Sequence, residues 1–545
     1  MMEEMPPRPQ VDIDLDQFTS LWDLVSDSVN RFPQHPAYYH LGTTLTYRQL
    51  DQLSKQFAAS LQLDFGVGKG DRVALMLPNI LTHPISMFGI LRAGATVVNI
   101  NPLFTGRELQ LQLEDSGAKV LIALENFAHA LPGIIDETPV ENIITVKAGD
   151  LHGLAKGWTI NMVARYIKGL KPAHGLKSTS FSSCLNKQIQ ANTPVEIQQD
   201  DIAYLQYTGG TTGTPKAAML SHGNIIANTL QAYSCITRAF ELNNPYVVTA
   251  LPLYHIFALT ANCFVVARLA GCSHLITNPR DMNSFIKQLK KTRAHIITGV
   301  DTLFSSMLKH RGFKELDFSN LQLTLSGGMS VQKSTAAQWQ AITGKPIIEA
   351  YGLTEASPAI TTNPVDSPNY SGKIGLPLPL TEVSIRDKDG KPVGTGTPGE
   401  LWAKGPQVML GYWNNPEETA AVLTEDGWLK TGDIVIQDEQ GYLQVIDRIK
   451  DLIIISGFNV YPSEIEGVLC NHPEISEAGV VGIRSNGDNE TIKAVIVKQD
   501  PGLTKEQIID YCRGNLAAYK IPKIIEFTDR LPKSNIGKVL RRELR

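Results

Sequence analysis

Between residues 70 and 126 the chain repeats one short phrase: an apolar, β-rich run, a segment with helical spacing, then another apolar run. "DRVALMLPN", "ISMFGILRAGATVVNI" and "LQLQLEDSGAKVLIAL" carry it. Strands that read as near-continuous hydrophobic runs are covered on both faces, and strands separated by helices are joined through crossovers. The phrase therefore predicts parallel α/β construction. A chain of 545 residues exceeds what one core supports, so two or more domains are expected.

The texture changes twice downstream. From 374 to 447 short strands alternate with Gly and Pro turns, as in "GTGTPGELWAKGPQVMLGYW", which predicts a β-rich subdomain. After "QGYLQVIDRIKDLIIISG", two helical stretches alternate with the strands "AGVVGI", "KAVIVK" and "KIIEF", a compact α+β unit. Ser463 with Glu466, and Thr504 with Gln507, have the spacing of capping boxes at the starts of those two helices. The expected division is a large domain over 1–447, a connection over 448–450 and a small domain over 451–545. The polar stretch 176–193 reads as a surface loop or a crossing between subdomains.

Val247–Ala267 holds 21 residues without Asp, Glu, Lys or Arg, long enough to span a bilayer. Pro252, His255 and Asn262 interrupt it, so a buried strand, turn and helix is the expectation. Residues 18–32 place Phe18, Trp22, Val25, Val29 and Phe32 on one face, with Asp23 and Asp27 opposite. That is a helix packed on its own core.

The net charge of −4 argues against a dedicated nucleic-acid binder. Six cysteines without a CxxC pair give neither a zinc site nor a disulfide framework and suit a reducing cytoplasm. The first ten residues, "MMEEMPPRPQ", have acids and prolines where a signal peptide needs a basic and then an apolar run.

The stretch "YTGGTTGTPK", Tyr207–Lys216, looks built to hold phosphate. Gly209, Gly210 and Gly213 let backbone N–H groups approach an anion, Thr208, Thr211, Thr212 and Thr214 add hydroxyls, and Lys216 adds charge. It is not the common P-loop, which needs Lys directly after the last Gly; here Thr214 and Pro215 intervene.

This loop resembles the phosphate loop of the adenylate-forming (acyl-activating) enzymes, S/T-G-S/T-T-G-x-P-K, with Gly210 at a variable position and Ala217 where Gly is frequent. Further matches follow in family order: "LPLYHIFAL" (251–259), "YGLTEASP" (351–358), "TGD" (431–433), "DRIKDLIIISGFNVYPSEIE" (447–466) and "PKSNIGKVLRREL" (532–544). Residues 426–451 are similar to the block typical of bacterial long-chain fatty acid–CoA ligases. The resemblance implies ATP-dependent formation of an acyl-AMP with release of pyrophosphate, then of acyl-CoA and AMP, with Mg2+ and coenzyme A required. It also implies that the small C-terminal domain is mobile.

A carboxylate acylates poorly until its oxygen becomes a good leaving group, and bringing three anionic groups together makes positioning and charge neutralisation dominant. By the family match, 208–216 would hold the β- and γ-phosphates. Glu355 and Thr211 would ligate Mg2+, Thr354 would contact the α-phosphate, and Tyr351 with Gly352 would hold adenine. Asp433 would bind the ribose hydroxyls with Arg448 in support. Lys538 would bridge acyl carboxylate and α-phosphate, Lys450 would be the hinge, and Gly457 would line the pantetheine path. Amino-acid-activating relatives place an aspartate near 251–259 to pair the substrate amine, whereas "PLYHIFALTANC" has no acid, so an alkyl chain is the expected substrate tail. His255, Phe257, Gly328 and Met329 are candidates for its site, with "GVDTLFSSML" (299–308) beside them. An acyl-AMP ligase that feeds a carrier protein, and a non-catalytic acyl- or nucleotide-binding regulator, are the rivals. Peripheral membrane association and a homodimer complete the expectations.

Overall fold

The computed structural model describes residues 13–128, 131–167, 177–185, 194–208, 215–242, 244–455, 458–484, 490–534 and 537–545. The chain divides into two compact units. One holds Met1–Ser371, Pro377–Thr381 and Lys404–Gly427; the other holds Gly372–Leu376, Glu382–Ala403 and Trp428–Arg545.

In the first unit an eight-stranded sheet runs in the order Gly411–Tyr412, Lys216–Ser221, Ile202–Thr208, Thr96–Asn99, Arg72–Met76, Val120–Leu124, Asn142–Val146 and Thr179–Ser180. The pairs from Ile202–Thr208 through Thr179–Ser180 are parallel, joined by the helices Thr82–Arg92 and Gly106–Ser116 among others. The 70–126 phrase thus forms the α/β layer it predicts. Lys216–Ser221 pairs antiparallel with Ile202–Thr208, which places Thr208 opposite Lys216. Helix Tyr47–Phe65 packs on Thr82–Arg92 at Gly89, where a Cβ would stand 2.6 Å from Phe57 Cδ1. A second sheet carries Ala359–Thr362, Ile347–Gly352, Leu323–Ser326, Ile296–Gly299, Tyr246–Thr249, Cys272–Leu275, Pro36–His40 and Thr43–Thr46 in that order.

The uncharged run Val247–Ala267 is a strand, a turn and a helix, as expected. Its helix widens into a π-helix over Leu259–Val265. Asn262, fully buried there, donates to Thr249 Oγ1 (3.1 Å) and accepts from Thr298 Oγ1 (3.0 Å), so the polar residue inside the apolar run is satisfied. Among the described residues no helix is long and apolar enough to cross a membrane. Helix Leu21–Arg31 buries Leu21, Leu24, Val25 and Ser28, with Trp22 and Val29 only partly covered. The expected core helix is present, with its buried stripe rotated from the one read off the sequence.

The described part of 176–193 is more than a loop. Thr179–Ser180 closes the sheet edge, and Phe181 is fully buried on the turn of helix that follows. The apolar ring outweighs its polar neighbours.

In the second unit, Glu382–Arg386, Gly399–Lys404, Leu429–Gln437 and Leu443–Arg448 form a four-stranded sheet, the predicted β-rich element. A further sheet pairs Ile475–Arg484 antiparallel and Ile524–Phe527 parallel with Glu490–Lys498. Helices Pro462–Cys470 and Lys505–Asn515 bury Ile465, Leu469, Ile508 and Cys512 in the core beside it. Thr504 and Gln507 form their capping box. Ser463 and Glu466 do not: the cap residue is Tyr461 and no side chain of its own caps the helix. Instead the Asp447 carboxylate accepts the Ser463 N–H at 2.7 Å. Glu466, which a capping box would turn back to the helix start, accepts the Val480 N–H at 2.8 Å.

Candidate functional site

Gly209, Gly210, Thr211, Thr212, Gly213 and Thr214, and likewise Gly457, lie outside the described residues; the ends of the phosphate-type loop do not. Thr208 and Lys216 face each other across the antiparallel pair, and Thr208 Oγ1 lies 3.4 Å from the Lys216 carbonyl. Lys216 Nζ ion-pairs with Glu418 Oε2 at 2.5 Å and sits over the Tyr412 ring, 5.6 Å from its centroid. Tyr412 in turn donates its hydroxyl to Glu355 Oε1 at 2.6 Å. Burial, and then the nearby Glu355 and Glu418 carboxylates, push the phenol pKa well up, so it stays a neutral donor. Lys216, Tyr412, Glu355 and Glu418 thus form one connected group.

Backbone pairing holds this group in place. Tyr412 pairs with Ala218 and Gly411 with Met219, extending the strand that begins at Lys216. The Met409 N–H donates to the Glu355 carbonyl at 2.8 Å. Asn415 caps the helix Pro416–Val422 by accepting the Glu418 N–H, which sets Glu418 toward Lys216.

Tyr351 and Gly352 end the strand Ile347–Gly352, and Thr354 opens the 3-10 turn that carries Glu355. A Cβ at Gly352 would lie 1.8 Å from the Pro358 carbonyl oxygen, so backbone packing alone forbids a side chain there.

The 251–259 turn is bolted from behind. Asn79 donates to the carbonyls of Thr249 and Leu251 and accepts the Leu253 N–H. Gln206 donates to the Tyr254 carbonyl at 2.8 Å. His255 Nδ1 accepts the Phe257 N–H at 3.3 Å and so caps the helix that follows. Burial lowers its pKa to about 4, which makes it a neutral ring with a structural task. Phe257 packs against Gly327, where a Cβ would stand 3.2 Å from its ring. Gly328 is exposed at φ +82, and Met329 and Leu303 join Phe257 at the margin of the main core. Phe304 and Met307, in the 299–308 stretch, are instead buried in a separate core with Trp339.

The second unit gathers its own group. Asp433 and Arg448 are register partners on neighbouring strands, with Arg448 Nε 2.9 Å from Asp433 Oδ1. Lys538 lies in a tight turn in which its N–H donates to Ser534 Oγ, and Ser534 N–H donates to its carbonyl at 2.7 Å. Crowding of the ammonium, and then the Arg448 and Lys450 cations, lower its pKa to about 8 against the pull of Asp433 and Asp451. The residue as a whole is exposed. Lys450 is exposed in the 3-10 turn Ile449–Asp451.

A family model described as AMP-binding enzyme matches residues 25–413, and one described as AMP-binding enzyme C-terminal domain matches 464–538. The chain belongs to the AMP-binding enzyme family. A long-chain-fatty-acid–CoA ligase from Yersinia pestis is 48% identical over 100% of this chain and 97% of its own length. One from Bacillus subtilis is 36% identical over 96% and 94%. Among solved structures, an anthranilate CoA ligase in complex with anthranoyl-AMP superposes with a TM-score of 0.85 at 25% identity, covering 98% of each chain. ATP-bound MatB from Rhodopseudomonas palustris gives 0.83 at 27%, covering 96% of this chain and 98% of its own.

Within this AMP-binding enzyme, sequence reading missed Tyr412, Glu418 and Arg541. "GYWNNPEET" carried a usable signal for the first two, an Asn–Pro helix start with Glu three residues after the cap. Arg541 reaches Asp447 (2.8 Å), Asp451 (3.0 Å), Glu466 (2.6 Å) and Ser463 (2.8 Å), and these carboxylates raise its pKa. Arg541 lies within the motif "PKSNIGKVLRREL", but no spacing rule points to its carboxylate partners.

Proposed function

We propose that this AMP-binding enzyme is an ATP-dependent long-chain fatty acid–CoA ligase, making acyl-AMP and pyrophosphate and then acyl-CoA and AMP. What carries the reading is the end-to-end match to long-chain-fatty-acid–CoA ligases at 48% identity. An acid-free run around the 251–259 turn, where an ammonium would lack a partner, supports an alkyl substrate. His255, Phe257, Gly328 and Met329 are proposed to border the acyl chain.

The proposed division of labour follows the two groups. The segment 208–216 cradles the β- and γ-phosphates, with Lys216 neutralising charge as pyrophosphate departs. Tyr351 and Gly352 hold the adenine, Thr354 the α-phosphate, and Asp433 with Arg448 the ribose. Lys538 supplies the positive charge on which the carboxylate–phosphate encounter depends, and Gly457 keeps the pantetheine path open. We assign 1–447 to the adenylation domain, 448–450 to the hinge with Lys450 at its centre, and 451–545 to the lid domain.

Glu355 suits Mg2+: its carboxylate is nearly buried, and its fixed partner, the Tyr412 hydroxyl, is neutral and leaves its charge uncancelled. Among the described residues no cluster of three or more His, Cys, Asp or Glu offers a full protein cage. Bound at Glu355, the ion would neutralise phosphate charge.

A coupled AMP-release assay over fatty acids of graded length, with and without coenzyme A, tests the reading. CoA-dependent AMP release on long chains is the expected result. Pyrophosphate exchange with no AMP release on adding CoA would instead identify an acyl-AMP ligase. We also propose that the enzyme meets its poorly soluble substrate at a membrane surface.

A further inference from the structure

The helix Leu154–Met162, continued by Val163–Ile167, is inside out. Its inward contacts are made by glycine and polar groups. Gly157 is its one buried residue and packs so tightly on Gly149 that a Cβ on Gly149 would stand 2.1 Å from the Gly157 carbonyl oxygen. Asn161 Oδ1 accepts the Gly149 N–H at 2.8 Å, and Lys156 Nζ donates to Thr43 Oγ1 at 3.0 Å. Three apolar side chains face outward, Leu154 at 97% exposed, Trp158 at 65% and Val163 at 39%, while Ile160 and Met162 are partly covered. Leu41, 39% exposed, stands in the adjoining turn, where Lys156 Nζ would be 3.0 Å from a Cβ on Gly42. A soluble surface helix normally has the opposite polarity.

Charge selects the occupant. From Leu151 to Val195 the sequence has no Asp or Glu and six basic residues, although the chain as a whole carries −4. Two acids, Glu125, which interacts with Arg165, and Asp150, next to Gly149, are half-buried, and burial raises the pKa of both. An exposed Trp among aliphatic side chains, framed by Lys and Arg, is the composition that settles at the headgroup–acyl boundary of an anionic bilayer.

We infer that this helix is the surface by which the protein docks on an anionic phospholipid membrane, with Leu154, Trp158 and Val163 entering the interface. The inference rests on the proposed membrane association and goes beyond it by naming the contact.

Vesicle co-sedimentation of the full chain tests it, using phosphatidylcholine with and without phosphatidylglycerol. The wild type is expected to bind the anionic vesicles, and added salt to weaken that binding. Leu154→Ser with Trp158→Ser should lower the affinity about tenfold, with AMP release on water-soluble octanoate and thermal unfolding unchanged. Trp158→Phe keeps an apolar ring and should retain binding, separating lost contact from lost fold. A wild type that ignores both vesicles overturns membrane association and this surface together. A doubly substituted protein that binds as tightly as wild type overturns the surface alone. Unchanged vesicle binding with lost self-association would make the face an interface between copies, and also overturns the inference.

Discussion

Glu355, in a 3-10 turn, and Asp433, in a strand, are both nearly buried carboxylates, 9% and 4% exposed, yet their partners differ in kind. Glu355 is held by the neutral hydroxyl of Tyr412, whereas Asp433 is held by the guanidinium of Arg448. A phenol fixes a carboxylate without cancelling its charge; a guanidinium does both. In the Glu355 group Lys216 pairs with Glu418, while Glu355 is held by the neutral Tyr412 hydroxyl. Around Asp433 stand three cations, Arg448, Lys450 and Lys538, with a second carboxylate, Asp451, that is shared with Arg541. We propose that the first group holds a cation and that the Lys538 ammonium of the second meets an anion. Acyl adenylation needs both.

The largest effect should come from deleting the Lys538 charge. Lys538→Ala is expected to lower acyl-AMP formation by about 10²–10³-fold, while conversion of supplied acyl-AMP to acyl-CoA persists. Equal loss of both half-reactions would remove Lys538 from the first step. Its pKa of about 8 lies below that of an ordinary lysine. The charged form therefore dominates below pH about 8, and kcat/KM for adenylation should fall as pH rises through that value. Lys538→Arg should carry activity to higher pH, since guanidinium keeps its proton. A pH profile flat to about 10 would show that the crowding does not govern the reaction.

In the Glu355 group, Lys216→Ala should raise the KM for ATP by about 10–100-fold, because a charge-assisted contact to phosphate is lost. Glu418→Gln should change it far less, since Glu418 pairs with Lys216 on a side chain 40% exposed to water. If the two substitutions acted equally, Glu418 would belong to the nucleotide site itself.

Removing each fixed partner should separate the two carboxylates by stability. Arg448→Ala leaves Asp433 buried without its cation and should cost about 2–4 kcal/mol, discounted for the partial exposure of the arginine. Tyr412→Phe removes only a hydroxyl from Glu355 and should cost about 1–2 kcal/mol. Urea unfolding with and without Mg2+ reads both. Mg2+ should restore stability to Tyr412→Phe and not to Arg448→Ala, and rescue of both would erase the distinction drawn here.

What was legible in the sequence followed from local rules. The strands and helices of 70–126, the strand-turn-helix of Val247–Ala267 and the Thr504–Gln507 capping box all depend on neighbours a few residues away. Asp433 and Arg448 are marked by the family motifs rather than by a local rule; they lie only 15 positions apart, and the strand pairing closes that gap. What escaped depends on distant partners. Tyr412 meets Glu355 across 57 positions, and Arg541 meets Asp447 across 94. Periodicity contains no term for such contacts. The error at Ser463 has the same origin, since a local spacing rule was outcompeted by a carboxylate 16 residues upstream.

That error yields the smallest of the expected effects. If Ser463 capped the helix Pro462–Cys470, replacing it with Ala would cost about 1 kcal/mol. The N–H that the Asp447 carboxylate accepts belongs to the Ser463 backbone, which Ala supplies equally well. The lost hydroxyl receives one N–H from Arg541, whose guanidinium also reaches Asp447, Asp451 and Glu466. Ser463→Ala should therefore cost no more than about 0.5 kcal/mol. Asp447→Ala removes the true cap and one Arg541 partner together, and should cost several times more in the same urea titration. A full capping penalty at Ser463, with little at Asp447, would return this helix start to the local rule.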